Sequence, residues 1–446
     1  FFLNKKRLNH ASLIHEIRKS IINEHEEKRL DRGFRKSSKR YIDFLHYKSQ
    51  FLAKDIFEVK HYHNIVSNFD NFSFKQLFNA ITKEYLDDIK SNFSPIFFQV
   101  FKSYSKNKFK NMLSNLEVRG KNNNIDFLRQ SQGKTSIIYV ANHLSNIDHI
   151  PLSFALNQNS LFHPVIVAGS NLYKGSSESV LPSLNVTKLR RKEKLKAQIE
   201  GKQKSFRLES DFLYSNVLKN YYKALWRHKE PFMYYFEGTR SRDGDILEGK
   251  RGIADMLLEF SKNENTGVIV APLAFSYMIV PEDKELSHEN EGSAQQNSSS
   301  DLFRQILDFD KHFDLPKSSG IITKFAEPIC INPQDKVSST TLNKHIRENI
   351  MSNLEMMPTY LFADSILSNM HHRFTSPYFD YEDVRQSYKR SKHLIQNPNL
   401  KQYSFDDILK IFENRNLIQP QENGRIAIKD KDTIKQYRNR KRNITS

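Results

Sequence analysis

His143 and Asp148 stand five positions apart in the string NHLSNID at 142–148. An imidazole can take and return a proton near neutral pH. A carboxylate bonded to one ring nitrogen fixes the tautomer and stabilises the imidazolium that forms. The separation brings the two together if His143 lies in a turn and Asp148 in the first turn of a following helix. Asn142 and Ser145 are then expected to satisfy exposed backbone donors at that helix start. By itself, the same pair also describes a surface histidine beside a helix-capping aspartate.

A second string, FEGTRSRDGDILEGKRG at 236–252, has a different chemistry. Gly238 lets the chain turn sharply and come close to a ligand. Arg240 and Arg242 offer guanidinium forks that match phosphate oxygens. Lys250 and Arg251 add positive charge after a second turn at Gly244. Glu237 is the odd member among these cations and, if buried, is expected to hold an arginine in place. A base in one string and a phosphate clamp in the other describe an enzyme that activates an alcohol on a phosphorylated molecule. The only cysteine, Cys330, belongs to neither string. A single cysteine excludes an internal disulfide framework and a multi-cysteine zinc site, and it fits a reducing compartment. The pairs His61/His63 and His371/His372 read as surface groups, so no metal site is expected.

These residues need elements to hold them. Residues 136–141, SIIYVA, are a continuous apolar run rich in β-branched side chains, as in a buried parallel strand, and His143 follows its end. Residues 151–156 predict a helix. Further strands are predicted over 165–168, 232–236 and 268–275, and helices over 216–226 and 253–260. The alternation predicts an α/β domain with a mainly parallel central sheet flanked by helices. Both strings then fall at carboxyl ends of strands, where open α/β sheets place their ligands.

Around this domain, expected over 131–350, the texture changes. Residues 1–80 read as a charged helical region, with Leu13, Ile14, Ile17, Ile21 and Ile22 at helical spacing and a basic run over 28–39. Residues 81–130 read as a helical lead-in, in which Pro95 opens a helix carrying Phe97, Phe98, Val100 and Phe101. Two segments of the central domain look like surface insertions, a basic one over 184–205 and a polar loop over 283–300. Residues 351–446 form a C-terminal helical and mixed region. There Phe405, Ile408, Leu409, Ile411 and Phe412 share helical spacing, followed by a turn over 414–417 and a short strand over 425–428.

The 446 residues suffice for two or three domains, and 33 Phe among them argue against general disorder. The formal net charge of +18 favours anionic partners: nucleic acid, an acidic membrane face or a phosphorylated substrate. No helix-turn-helix, zinc-finger or RNA-binding signature is present, so no nucleic acid is expected. No apolar run is long enough for a transmembrane helix, and no signal peptide is visible. The sequence opens on Phe1 rather than Met, as in a fragment or processed product whose upstream segment can hold an anchor.

Taken together, the blocks resemble the glycerolipid acyltransferases, and most closely the glycerol-3-phosphate and dihydroxyacetone-phosphate branch. The resemblance rests on NHLSNID at 142–148, AGSNLY at 168–173, FEGTRSRDG at 236–244, EGKRG at 248–252 and VIVAPLAFSY at 268–277, in that order. EYLDDIKSNFSPIFFQVF at 84–101 looks like the helical lead-in of that branch. Pro358 to Leu361 and Ile434 to Asn439 look like its carboxyl-terminal region.

The resemblance implies the acyltransferase fold over 131–350, with His143 as the catalytic base and Asp148 as its partner. It implies acceptor and phosphate binding by Glu237, Gly238, Thr239, Arg240, Ser241, Arg242 and Lys250. Arg207 is aligned with the arginine of a further phosphate-binding block, and Pro272 with the proline on the acyl-donor side. Tyr235 stands where many relatives that acylate lysophosphatidate have proline, which favours the glycerol-phosphate branch. The implied reaction moves a fatty acyl group from acyl-CoA or acyl-carrier protein to the sn-1 hydroxyl of glycerol 3-phosphate, without a cofactor. A lipid product implies peripheral work at the cytoplasmic face of the cell membrane, with residues 188–204 and 438–442 as candidate contacts.

Overall fold

The computed structural model describes residues 10–445, apart from 26, 53–55, 69–70, 174–176, 191–194, 200, 209–210, 289–314, 316–319, 371–376 and 422–423. The chain divides into two compact units. One comprises Phe1–Phe98 with Val165–Glu230, the other Gln99–Pro164 with Pro231–Ser446.

The first unit is mostly helical, as the periodicity of its N-terminal part requires. Helices His10–Glu24 and Glu27–Tyr47 pack with Phe74–Ile89 and Phe212–Arg227. Ile17, Ile21, Tyr41, Phe44, Ile81, Tyr85 and Trp226 form its core. Two helices start on side-chain caps. Ser73 and Gln76 make a reciprocal capping box, and Asp211 accepts from the Tyr214 N–H. The strands Val165–Gly169 and Val186–Leu189 pair in parallel, and Leu195–Ile199 forms a hairpin with Lys202–Phe206.

The basic segment over 184–205 is therefore not a free surface insertion. Its start is a buried strand. Lys188 Nζ and Arg190 Nε lie 3.1 and 2.7 Å from the two oxygens of Asp88. Burial acts to raise the Asp88 pKa, but the Arg190 and Lys188 cations outweigh it and hold the carboxyl well below its usual range. Residues 191–194 lie outside the described residues.

The second unit holds the strands that carry both motifs: β1 (Leu116–Gly120), β2 (Ser136–Ala141), β3 (Phe232–Tyr235), β4 (Val268–Tyr277), β5 (Ile321–Phe325) and β6 (Ile329–Ile331). Their order is β1-β5-β4-β2-β3, with β6 beside β4. β2 pairs in parallel with β3 and β4, and β1 with β5, whereas β5 and β6 run antiparallel to β4. The central sheet is thus mainly parallel and flanked by helices, as expected. All six residues of β2 and all ten of β4 are buried, the pattern of a sheet covered on both faces.

Pro272 lies inside β4, where it cannot donate to the ladder. Its carbonyl accepts from the Ala326 N–H at 3.0 Å, in the gap where β5 gives way to β6. The break in pairing is what accommodates the proline. The helices Arg251–Asn263 and Ser339–Ser352 pack on each other.

In the C-terminal part of this unit, Tyr378–Asp380, Arg425–Ile428 and Ile418–Pro420 form a small antiparallel sheet. The helix Pro358–Ser368 packs against Lys431–Thr445. Of the expected polar loop over 283–300, the first part is a helix, Asp283–His288, and residues 289–300 lie outside the described residues. His371 and His372 also lie outside them.

Candidate active site

β2, β3 and β4 run parallel, so their carboxyl ends share one edge of the sheet. His143 stands two residues past the end of β2. Its position is fixed first by Asn142, whose side chain is tied to Phe275 of β4. The Asn142 Nδ2 donates to the Phe275 carbonyl at 3.0 Å, and the Phe275 N–H donates to Asn142 Oδ1 at 2.8 Å. The amide group continues the ladder where the strand backbone leaves it. Asn142 therefore holds the exit of a strand and does not cap the helix that follows. Ser145 partly fits the capping expectation, since its Oγ accepts from the Ile147 N–H at 3.2 Å.

His143 Nδ1 lies 2.8 Å from Asp148 Oδ2. The same oxygen accepts from the Leu144 and Ser145 N–H groups at 2.8 and 3.0 Å, and Oδ1 accepts from the Tyr277 hydroxyl at 2.8 Å. Donors thus converge on a fully buried carboxylate, which leaves Nδ1 to carry its proton toward it and Nε2 to act on a substrate. The imidazole lies on the ring of Tyr235 with centroids 3.8 Å apart and planes 11° from parallel. The hydroxyls of Tyr235 and Tyr277 are pushed well above their usual pKa by burial and by Asp148, so both stay neutral. His149 is turned away, with Nδ1 3.0 Å from the Asn146 carbonyl, and burial pulls its pKa down.

The second motif leaves β3 and closes on the first. The Phe236 N–H donates to the Ala141 carbonyl at 2.8 Å, and the Ser241 N–H to the His143 carbonyl at 2.8 Å. Gly238 turns the chain at φ +67°, a conformation that only glycine adopts without strain. Glu237 is buried. Its Oε1 lies 3.5 Å from the His143 N–H, and its Oε2 has no hydrogen-bond partner among the described residues. Burial raises its pKa to about 8, although donation from the His143 and Leu247 N–H groups opposes the rise.

Glu237 and Ser241 therefore stand against His143, and Gly238 turns the chain between them. Ser241 is buried with its hydroxyl committed to the loop, donating to the Asp245 carbonyl and accepting from the Gly244 N–H. Thr239, Arg242 and Lys250 are exposed, and Arg240 is half-buried. Arg207 follows the hairpin of the first unit, where it is exposed and its carbonyl accepts from Arg40 Nη1 at 3.1 Å. Pro272 lies within the sheet, five positions before the strand end that carries Tyr277.

Two residues escaped the sequence reading. Tyr277 had a usable signal, since it ends an apolar strand at the edge that carries His143. Glu282 had none, because PEDKE at 281–285 reads as a solvated acidic turn. It is in fact buried against the histidine loop, accepting from Ser145 Oγ at 2.6 Å and from the Asn146 N–H at 2.9 Å.

Residues 115–276 match the family model described as Acyltransferase. The glycerol-3-phosphate acyltransferase of Xylella fastidiosa strain 9a5c is 27% identical over 209 residues, which are 47% of this chain and 22% of that protein. That of Pseudomonas aeruginosa strain LESB58 is 28% identical over 255 residues, 56% of this chain and 27% of that protein. The chain spans about a quarter of the length of the curated relatives it matches. The crystal structure of a 1-acyl-sn-glycerophosphate acyltransferase, PlsC, from Thermotoga maritima is 17% identical and covers 72% of this chain and 91% of its own, with a TM-score of 0.33. That superposition is too weak to bear on the fold. Over residues 115–276 the chain is thus similar to the acyltransferase domain family, and over a longer stretch it is similar to glycerol-3-phosphate acyltransferases.

Proposed function

We propose that the chain transfers a fatty acyl group from an acyl thioester, acyl-CoA or acyl-carrier protein, to the sn-1 hydroxyl of glycerol 3-phosphate. The observation that carries this reading is the His143–Asp148 pair at 2.8 Å, joined to the Glu237–Arg242 loop by the bond from the Ser241 N–H to the His143 carbonyl. In this scheme Nε2 of His143 takes the proton of the acceptor hydroxyl. The oxygen attacks the thioester carbonyl, the tetrahedral intermediate collapses, and the imidazolium returns its proton to the departing thiolate. Arg240, Arg242 and Lys250 hold the phosphate and so place the hydroxyl. Thr239 is the exposed hydroxyl of that loop. Glu237 is largely protonated near neutral pH, and its unpartnered oxygen suits an acceptor hydroxyl. Pro272 shapes the strand on the acyl-donor side. No acyl-enzyme and no cofactor enters the scheme.

A lipid product and a donor with a long acyl chain call for a membrane surface. Among the described residues no helix is long and apolar enough to cross a membrane. On the helix Pro95–Lys108, Ile96, Val100 and Tyr104 recur every four residues and are 77, 63 and 40% exposed, with Lys106 and Lys108 beyond them. We assign peripheral contact with the cytoplasmic leaflet to this apolar and basic stripe. The stretch 438–442 supports such a contact less well than its charge suggests. Arg438 and Lys441 close on Asp364, and Arg440 is buried over the Tyr437 ring.

The test is acyl transfer from labelled palmitoyl-CoA, and then from a palmitoyl carrier protein, to glycerol 3-phosphate, dihydroxyacetone phosphate and lysophosphatidate. Glycerol 3-phosphate is expected to be the best acceptor. His143→Ala is expected to lower turnover by about 10² to 10⁴ without loss of fold. Preference for another acceptor would move the substrate and keep the chemistry. Turnover of His143→Ala at the wild-type rate would end the mechanism.

A further inference from the structure

Glu282 is a buried carboxylate with a large desolvation cost and no part in the scheme above. Its two oxygens take the Ser145 hydroxyl and the Asn146 N–H, the turn between His143 and Asp148. Ser145 in turn accepts from the Ile147 N–H, so a single carboxylate sets three consecutive residues of that turn. Glu282 is itself held from behind. Tyr437 accepts from the Val280 N–H at 3.3 Å and donates to Asp283, Gln436 Nε2 donates to the Asp283 carbonyl at 2.9 Å, and Arg415 pairs with Asp283. A continuous set of polar contacts therefore runs from the helix Lys431–Thr445 through the segment 280–283 to the histidine loop.

We infer that Glu282 is a positioning residue for acyl transfer, fixing the His143–Asp148 turn. Burial raises its pKa to about 7, whereas the Ser145 hydroxyl and the Arg240 cation pull it down. The inference rests on the acyltransferase reading for its kinetic consequence, but the clamp itself is a property of the folded chain.

The test compares Glu282→Ala with Glu282→Gln. A glutamine oxygen can keep the Asn146 N–H while its NH₂ donates to Ser145 Oγ, which retains the clamp and removes the charge. Glu282→Ala is expected to lower kcat for glycerol 3-phosphate by about tenfold or more, the scale of a misplaced catalytic group. Glu282→Gln is expected to restore kcat to within about threefold of wild type, because it keeps the clamp. A residue that only stabilised the fold would lower Tm in both variants and leave kcat and KM per folded molecule unchanged, and that result overturns the inference. Hydrogen exchange at residues 144–147 reads the clamp without turnover. Faster exchange in Glu282→Ala supports it, and unchanged exchange refutes it even if wild type transfers no acyl group, a result that would count against the activity alone.

Discussion

At the scale of single residues, the site rests on groups that hold the base in one tautomer. Tyr277 donates to Asp148 Oδ1, the oxygen that does not face His143. Tyr277→Phe deletes this donor and leaves a buried carboxylate oxygen short of a partner, at about 1 kcal/mol. A fall in kcat of about fivefold is expected, with the acceptor KM nearly unchanged. Steady-state kinetics on purified protein checks this. Glu237 gives a pH signature. Its folded pKa, raised to about 8, exceeds the ordinary value of 4.5, so between those values the folded chain binds more protons than the unfolded one. Its contribution to stability is therefore present at low pH and is lost as pH rises toward 8. Glu237→Gln removes the titration. Melting curves from pH 5 to 8.5 are expected to show the variant gaining on wild type as pH rises. A constant difference across that range would count against a raised Glu237.

At the scale of elements, the loop after β3 is closed by the C-terminal helix. Gly244 has φ +91°, and a Cβ there would stand 2.1 Å from the Gln436 carbonyl oxygen. Asn443 Nδ2 donates to the Gly244 carbonyl at 2.8 Å, and Asn439 Nδ2 to the Asp243 carbonyl at 2.9 Å. Gly244→Ala must therefore push the helix Lys431–Thr445 off the loop or distort the turn. A loss of about 2 kcal/mol or more is expected, read as a lower Tm in thermal unfolding. Much of this architecture was legible. β2 and β4 showed as buried β-branched runs, and Phe405 to Phe412 as an amphipathic helix. β1 and β5 did not show, because LEVRG and IITKF are short and lack the apolar continuity of β2. They pair with each other across about two hundred residues of sequence, which no local pattern reveals.

At the scale of the whole molecule, the net charge of +18 suits an anionic surface, but not all of it is available. Lys188 and Arg190 are spent on Asp88 inside the first unit. Binding to vesicles containing an anionic phospholipid is expected to weaken as salt rises from about 0.05 to about 0.5 M, since screening acts on the exposed cations. Replacing Ile96 and Val100 by Ser is expected to remove the part that survives high salt. Vesicle sedimentation measures both, and binding indifferent to salt and to these substitutions would rule out this stripe.

By itself, the sequence singled out the residues to which the proposed chemistry is assigned. His143, Asp148 and the cations of 240–250 lie in short strings whose residue types announce proton transfer and phosphate binding. It also determined that the strings follow strands, because buried strands must be continuously apolar. Only the tertiary structure decided how the base is held. Asn142 pairs with Phe275, Tyr235 lies under the imidazole, Tyr277 reaches Asp148, and Glu282 closes the turn, four pairings over separations from 92 to 137 positions. Such contacts are set by strand order and by burial of polar groups with their partners. A carboxylate such as Glu282 therefore reads as a solvated charge until the fold brings a serine hydroxyl and a backbone N–H against it.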